Sequence, residues 1–217
     1  TTLFRSSIQE VRTLVRRSKV AQEKLSKMSQ EQIDKIVKAV VDAAFNNATK
    51  LAKMANEETG FGKWEDKVIK NTFASMGDYE TLKNTKTIGI IGEDKEANTI
   101  DIATPVGVVA GLIPSTNPTS TVIYKTIISL KAGNTIVFSP HPNAKNCILE
   151  TVNIISDAAI KAGAPEDSIL CITNPSIVGT NELMKHKDTN LILATGGEAM
   201  VRAAYSSGTP AIGVGPG

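Results

Sequence analysis

One asparagine stands where its side chain could assist a reaction. Asn117 lies at the end of a loop that begins at Pro114, and Pro118 follows it directly. Proline fixes its own φ angle, so the two prolines stiffen the loop around the asparagine. A side-chain amide held in this way can donate a hydrogen bond to a developing negative charge. An asparagine before a proline is also a common turn residue, and this local pattern leaves both interpretations open.

A second pattern could bind an anion. Thr195, Gly196 and Gly197 connect an apolar run to a segment with helical spacing. Free N–H groups and the dipole at a helix N-terminus favour a phosphate, and glycine allows a close approach to the backbone. The other interpretation is a tight strand-to-helix turn that needs small residues. Neither G-x-G-x-x-G nor the phosphate-loop motif occurs in the sequence.

The cysteines and histidines offer less chemistry. Cys147 stands early in a predicted helix beside apolar residues, and Cys171 stands within an apolar strand pattern. Burial in such surroundings raises the pKa of a thiol and makes it inert, so we expect neither cysteine to be a nucleophile. His141 and His186 have no cysteine or carboxylate cluster at ligand spacing, and we expect no metal site.

Composition excludes several classes of protein. With 24 basic and 22 acidic side chains, the net charge of +2 argues against a nucleic-acid binder. No apolar run reaches the roughly 18–20 residues that span a bilayer, so we expect no membrane partner. The first residues lack the features of a secretory signal. Two cysteines are too few for a disulfide framework and fit a reducing compartment, so the cytoplasm is the predicted location.

Residues 1–86 predict a helical segment that packs on a following domain. A first helix is indicated by apolar residues at spacings of three or four, namely Phe4, Ile8, Val11 and Val15. Ser29 and Gln32 have the spacing of a capping box at the start of a second helix. Its predicted buried face consists of Ile33, Ile36, Val37, Val40, Val41 and Ala44. Further helices are predicted over Ala48–Thr59, ending at Gly60, and over 65–79.

Beyond residue 87 the hydrophobic period changes to that of strands. Residues 87–104 predict a β-hairpin with strands at 87–92 and 98–103, and residues 105–217 predict strands alternating with helices. The strands of this second region are predicted at 106–113, 135–139, 169–173, 191–194 and 211–214. This alternation is typical of a Rossmann-like α/β domain with a parallel sheet. Ligands bind there at the carboxyl ends of strands, which points to the junctions 113–119, 139–143, 195–198 and 213–217.

One long segment carries a resemblance. Residues 105–145, PVGVVAGLIPSTNPTSTVIYKTIISLKAGNTIVFSPHPNAK, resemble the cofactor-binding core of the aldehyde dehydrogenase superfamily. The forms PSTNPTST and SPHPNAK are similar to its CoA-acylating branch, which includes the aldehyde half of bifunctional aldehyde–alcohol dehydrogenases. Ser139 stands where other members have a lysine. Residues 51–71 and 191–217 are similar to the family's N-terminal helical segment and to a second signature of the acylating branch.

The resemblance implies a reaction and a set of site residues. A cysteine would add to an aldehyde, Asn117 would stabilise the resulting oxyanion, NAD would accept hydride, and coenzyme A would take the acyl group from a thioester. The nucleophilic cysteine is expected beyond residue 217, in a catalytic domain downstream, so we expect the chain to be incomplete. The implied cofactor contacts are Leu112, Ile113, Pro114, Ser115, Thr116, Asn117, Ser139, His141, Thr195, Gly196, Gly197 and Gly215.

Gly213 bears on the acyl acceptor. It stands where hydrolytic aldehyde dehydrogenases have the glutamate that activates water. Without this base the thioester is protected from water and a CoA thiol can attack it. The alternatives are a hydrolytic aldehyde dehydrogenase, with Gly213 merely forming a tight strand end, and a non-catalytic nucleotide-binding fragment. Membership also implies a homo-oligomer through the 87–104 hairpin, and a small aldehyde or acyl-CoA whose identity the sequence does not assign.

Overall fold

The computed structural model describes residues 2–215, with side chains from residue 6 onward. The side chain of Phe4, in the predicted first stripe, lies outside the described part. So do residues 216–217, the end of the last predicted junction. Ile8 is half-buried, and Val11 and Val15 are fully buried, so the described part of the stripe faces the protein interior.

Helices make up the chain before the first strand. Their bounds are α1 Thr2–Leu25, α2 Gln30–Asn46, α3 Ala48–Thr59, α4 Trp64–Thr72 and α5 Asp78–Leu82. The capping box forms as predicted: Ser29 Oγ accepts from the Gln32 N–H, and Gln32 Oε1 accepts from the Ser29 N–H at 2.9 Å. All six predicted core positions of α2 are buried. Gly60 ends α3 with φ 68°, the left-handed conformation that favours glycine.

The helix predicted over 65–79 is interrupted. A π turn, Phe73–Gly77, separates α4 from α5, and the helical segment continues to Leu82. The Phe73 ring lies against Gly77, where an added Cβ would be 2.9 Å from a ring carbon. This contact lies within the π turn, and a hydrophobic period of 3.6 residues does not reveal it.

The hairpin consists of two antiparallel strands, β1 Gly89–Asp94 and β2 Thr99–Ala103. It begins two residues later than predicted because the preceding N–H groups have another partner. Gln30 Oε1 accepts hydrogen bonds from Thr87 N at 2.8 Å and Ile88 N at 3.1 Å. These residues are thereby held to α2 instead of extending the strand.

The second region forms one parallel sheet with the order β5-β4-β3-β6-β7. Its strands are β3 Val108–Ile113, β4 Thr135–Pro140, β5 Ile169–Cys171, β6 Thr189–Thr195 and β7 Ala211–Val214. The connecting helices are α6 Pro118–Lys131, α7 Lys145–Lys161, α8 Ile177–Lys185 and α9 Glu198–Tyr205. β5 ends before Thr173, whose N–H and O–H both donate to Glu10 Oε1 at 2.6 Å. The strand order reverses between β3 and β6, as in a doubly wound domain.

Alternate residues of the central strands point into two cores. Val109, Ile136 and Phe138 belong to the core shared with α2, α6 and α7. Val108 and Val137 belong to the other core, which α1 and α8 cover. The helix α1 therefore contacts one face of the sheet directly, whereas on the other face α2 packs against α6 and α7. Among the helices of residues 2–215, none combines the length and apolarity that a membrane span requires.

Candidate functional site

The loop between β3 and α6 is held by two lysines of α4. Lys67 Nζ donates to the Thr116 carbonyl at 2.8 Å, and Lys70 Nζ donates to Asn117 Oδ1 at 2.9 Å. Lys67 is 5% exposed, and burial lowers its pKa, with a smaller contribution from the charge of Lys70. One face of α4 therefore fixes both the backbone and a side chain of this loop.

Asn117 occupies the N-cap position of α6 without capping the helix. Asparagine is among the best N-cap residues because its side-chain oxygen usually accepts an N–H of the first turn. Here the side chain makes no capping hydrogen bond, and its oxygen accepts from Lys70 instead. No acceptor among residues 6–215 pairs with Asn117 Nδ2. This nitrogen is therefore a donor available to a bound molecule.

Within the described residues no side chain anchors the junction between β6 and α9, and its Gly196 N–H donates to the Val214 carbonyl at 3.3 Å. Gly197 is the N-cap of α9 and provides no side chain to its first N–H groups. An added Cβ at Gly197 would meet no atom within 4 Å, and one at Gly196 would lie 3.5 Å from Met200. These glycines are not required by packing. They leave the backbone at the helix N-terminus open to a ligand, as an anion site requires.

The end of β4 provides a third wall. Ser139 is 4% exposed, and its hydroxyl shares a 2.8 Å hydrogen bond with the hydroxyl of Thr180 in α8. His141 Nδ1 accepts from the Asn143 N–H, while the His141 N–H donates to the Ile113 carbonyl at 3.1 Å. The backbone bond ties the end of β4 to the end of β3. It thereby holds the segment after β4 beside the loop after β3.

These junctions surround one cavity of about 800 Å³. All twelve residues predicted as cofactor contacts line it. They are Leu112, Ile113, Pro114, Ser115, Thr116, Asn117, Ser139, His141, Thr195, Gly196, Gly197 and Gly215. Pro140, which precedes His141, lines it too. The structure thus brings together segments that are up to about a hundred residues apart in the chain. Their roles toward a ligand remain predictions.

Sequence reasoning missed the wall that α8 contributes. Ser176, Ile177, Thr180, Asn181 and Met184 line the cavity. The start of α8 follows β5, so the rule that ligands bind at the carboxyl ends of strands could have found this junction. Ile177 lies at the edge of the cavity and is 82% exposed, an unusually high fraction for a large apolar side chain. The first turn of α9 adds Ala199 and Met200 to the opposite side.

A buried lysine links the strands at the switch point. Lys125 in α6 is 3% exposed, and its Nζ donates to the carbonyls of Leu112 and Leu193, each at 2.7 Å. These carbonyls stand near the ends of β3 and β6, just before the two loops. Burial lowers the pKa of Lys125 to about 7. The lysine therefore holds the two strand ends at a fixed separation.

The two cysteines have surroundings that disfavour a thiolate nucleophile. Both are buried, and burial raises the pKa of each thiol. Cys147 Sγ donates to the Ala144 carbonyl at 3.3 Å, and the carboxylate of Glu58 adds to the rise in its pKa. Within residues 2–215, no three histidine, cysteine or acidic side chains cluster at distances that suit a metal ion.

The fold and the cavity together define a doubly wound α/β domain whose cleft lies at its topological switch point. The model of the aldehyde dehydrogenase family matches residues 2–212, and the chain belongs to that family. The resemblance drawn from residues 105–145 is thereby confirmed.

Relatives within this family are close. A bifunctional aldehyde-alcohol dehydrogenase of Escherichia coli (strain K12) is 52% identical over 98% of this chain. The structure of an acetylating aldehyde dehydrogenase from Geobacillus thermoglucosidasius covers 99% of the chain with 57% identity and a TM-score of 0.97. A propionaldehyde dehydrogenase from Rhodopseudomonas palustris, solved with bound CoA and an acylated cysteine, covers 95% with 35% identity and a TM-score of 0.82. The chain spans 24%, 48% and 47% of these three proteins, respectively.

Proposed function

We propose that this chain is the cofactor-binding part of an NAD-dependent, CoA-acylating aldehyde dehydrogenase. Such an enzyme converts an aldehyde, CoA and NAD reversibly into acyl-CoA and NADH. The observation that carries the proposal is the Asn117 amide, which caps no helix and presents an unpaired Nδ2 beside the cavity. The similarity to an acetylating enzyme from Geobacillus thermoglucosidasius supports the acylating branch.

The cavity fits a dinucleotide. Its volume of about 800 Å³ lies within the roughly 300–1,000 Å³ of small-molecule and cofactor sites. The open N-terminus of α9 at Gly196 and Gly197 would bind the pyrophosphate, and apolar surfaces at Pro140, Pro142 and Ile177 would receive the adenosine. When bound, NAD supplies the hydride acceptor. We assign NAD in preference to NADP as the family's usual cofactor.

The reacting groups divide between this chain and the rest of the protein. A cysteine downstream of residue 217 would add to the aldehyde carbonyl. Asn117 Nδ2 would donate to the carbonyl oxygen as negative charge develops on it, and this stabilisation is stronger in the transition state than in the bound aldehyde. Burial raises the pKa of the Cys147 and Cys171 thiols, which argues against either as the nucleophile.

The surroundings of Gly213 support CoA over water as the acyl acceptor. An added Cβ at this position would lie 2.6 Å from Val201 and 3.0 Å from the ring of Tyr205. The Gly213 N–H donates to the Tyr205 hydroxyl at 3.0 Å. A glutamate here would require the side chains of Val201 and Tyr205 to move. Because these contacts disfavour the carboxylate base of hydrolytic members, we favour the acylating reaction over the hydrolytic alternative.

The hairpin supports an oligomeric enzyme. Ile90, Ile91, Ile100 and Ile102 are between 49% and 62% exposed. An isolated pair of strands is at best marginally stable in water, and exposed isoleucines on both strands favour burial against another surface. We propose that β1–β2 pairs with a neighbouring copy of the same protein. We also keep the reducing cytoplasm as the proposed location, because both described cysteines are free thiols.

The test is NADH formation by the full-length protein with acetaldehyde and NAD, with and without CoA. We expect NADH only when CoA is added. Equal rates without CoA would identify water as the acceptor and refute the argument from Gly213. A protein that binds NAD without reducing it would support the non-catalytic alternative. Replacing NAD by NADP in the same assay decides the cofactor.

A further inference from the structure

We propose that Lys67 and Lys70 of α4 are positioning residues that set the direction of the Asn117 amide. The inference rests on the proposed role of Asn117 as an oxyanion donor and names the residues that make this role possible. Neither lysine touches the cavity, since neither belongs to its lining. Their effect on the reaction would pass entirely through the loop.

The first step of the argument concerns the geometry of α4. Positions 67, 70 and 71 are three and four residues apart, so they share one helix face. Lys67 bonds to Thr116, Lys70 to Asn117, and Asn71 Oδ1 accepts from the Thr119 hydroxyl at 2.8 Å. One face of one helix therefore bonds to three of the four consecutive residues 116–119, at the end of the loop and the start of α6.

The second step concerns the orientation of the amide. Asn117 can present either its oxygen or its nitrogen toward the cavity by rotating its side chain, and only the nitrogen donates a hydrogen bond. An ammonium group has donors and no acceptor, so Lys70 can bond only to Oδ1. The 2.9 Å contact therefore selects the orientation that leaves Nδ2 free. The positive charge also polarises the amide and strengthens Nδ2 as a donor.

The third step concerns the backbone. Thr116 is exposed, and its carbonyl has no place in the ladder of β3 or in α6. The buried Lys67 ammonium satisfies this carbonyl from below the loop at 2.8 Å. A buried charge without its partner is costly, so the lysine and the carbonyl hold each other in place. Lys67 fixes the position from which the Asn117 side chain extends, and Lys70 fixes its rotation.

The test compares three variants of the full-length enzyme, Lys67→Met, Lys70→Met and the control Lys63→Met. Lys63 is an exposed residue of the same segment, and only its backbone takes part in α4. We expect both test variants to lower kcat for aldehyde oxidation about 10- to 100-fold, less than the roughly 10²–10³-fold loss of an oxyanion donor itself. The KM for NAD should stay within about twofold, and Lys63→Met should match the wild type. Lys70→Arg should restore most of kcat, because a guanidinium also donates to Oδ1.

A second arm asks whether the lysines act through Asn117. Adding Lys70→Met to Asn117→Ala should cause no further loss, because the group it orients is already gone. Multiplying losses in the double variant would overturn the proposal. Hydrogen exchange gives a readout that does not need activity: amides of residues 112–121 should exchange faster in Lys67→Met than in Lys63→Met. Unchanged exchange would refute the backbone role, even if the enzyme proved to hydrolyse its thioester or to lack activity.

Discussion

Two loops face each other across the cleft and are built in opposite ways. The loop of residues 114–117 begins at Pro114, is followed directly by Pro118, and accepts hydrogen bonds from Lys67 and Lys70. The loop of residues 195–197 contains two glycines and no side-chain cap. A group that must donate to a short-lived charge needs a fixed direction, whereas a phosphate needs accessible backbone. The contrast supports the proposal that the rigid loop serves the chemistry and the open loop binds the cofactor.

The rigid loop is tested most directly by Asn117→Ala. We expect kcat to fall by about 10²–10³, because one donor to the oxyanion is lost, while the KM for NAD changes by less than about threefold. Steady-state kinetics of the full-length enzyme measure both values. Asn153→Ala, at an exposed position of α7, is the matched control. If Asn117→Ala kept a third of the wild-type kcat, the assignment of chemistry to this loop would be wrong.

The link between the loops is tested by Lys125→Met. Burial lowers the pKa of Lys125 from 10.5 to about 7, so above pH 7 the unfolded protein holds a proton that the folded protein has released. The stability of the wild type relative to the variant should therefore rise with pH. Linkage gives a rise of about 2–3 kcal/mol between pH 6 and pH 9. Melting temperatures of both proteins across this range measure the trend, and a constant difference would contradict it.

The open loop is tested by Gly197→Ala. The added methyl group meets no protein atom within 4 Å, so the melting temperature should change little. It would obstruct a pyrophosphate at the helix N-terminus and raise the KM for NAD about tenfold, or ~1.4 kcal/mol. Gly92→Ala adds the same methyl group in the hairpin, away from the cleft, and should leave this KM unchanged. An unchanged KM for NAD in Gly197→Ala would show that the pyrophosphate does not bind at this loop.

Local patterns predicted the elements well where the residues of one helix or strand determine its conformation. The capping residues Ser29 and Gln32 and the apolar positions of α2 follow from helix geometry alone. The parallel sheet follows from the alternation of apolar strands with helices. Prediction was less accurate at element ends, where a distant side chain competes for the backbone. Gln30 delays the start of β1 by two residues, and Glu10 binds Thr173, which was predicted to lie within the strand β5.

In the site, too, some features follow from local patterns and others depend on distant contacts. The residues of the loops stand at the carboxyl ends of strands, so their approach to one cavity follows from topology. The lysines that hold Asn117 lie on a helix about 50 residues earlier in the chain. Nothing in the sequence distinguishes them from ordinary exposed charges. Their contacts depend on how α4 packs against α6. No local spacing encodes that packing, and the burial of Lys67 emerges only once both helices are in place.

The anchoring of α1 has a consequence for how the protein is made. Gln22 donates to the Gly133 carbonyl, a residue 111 positions later in the chain. At about 5–20 residues per second, the ribosome needs roughly 6–22 s to deliver this partner. For that interval Val11 and Val15, which end fully buried, have no sheet to cover them. Until the sheet exists, the nascent chain therefore exposes the apolar face of an amphipathic segment.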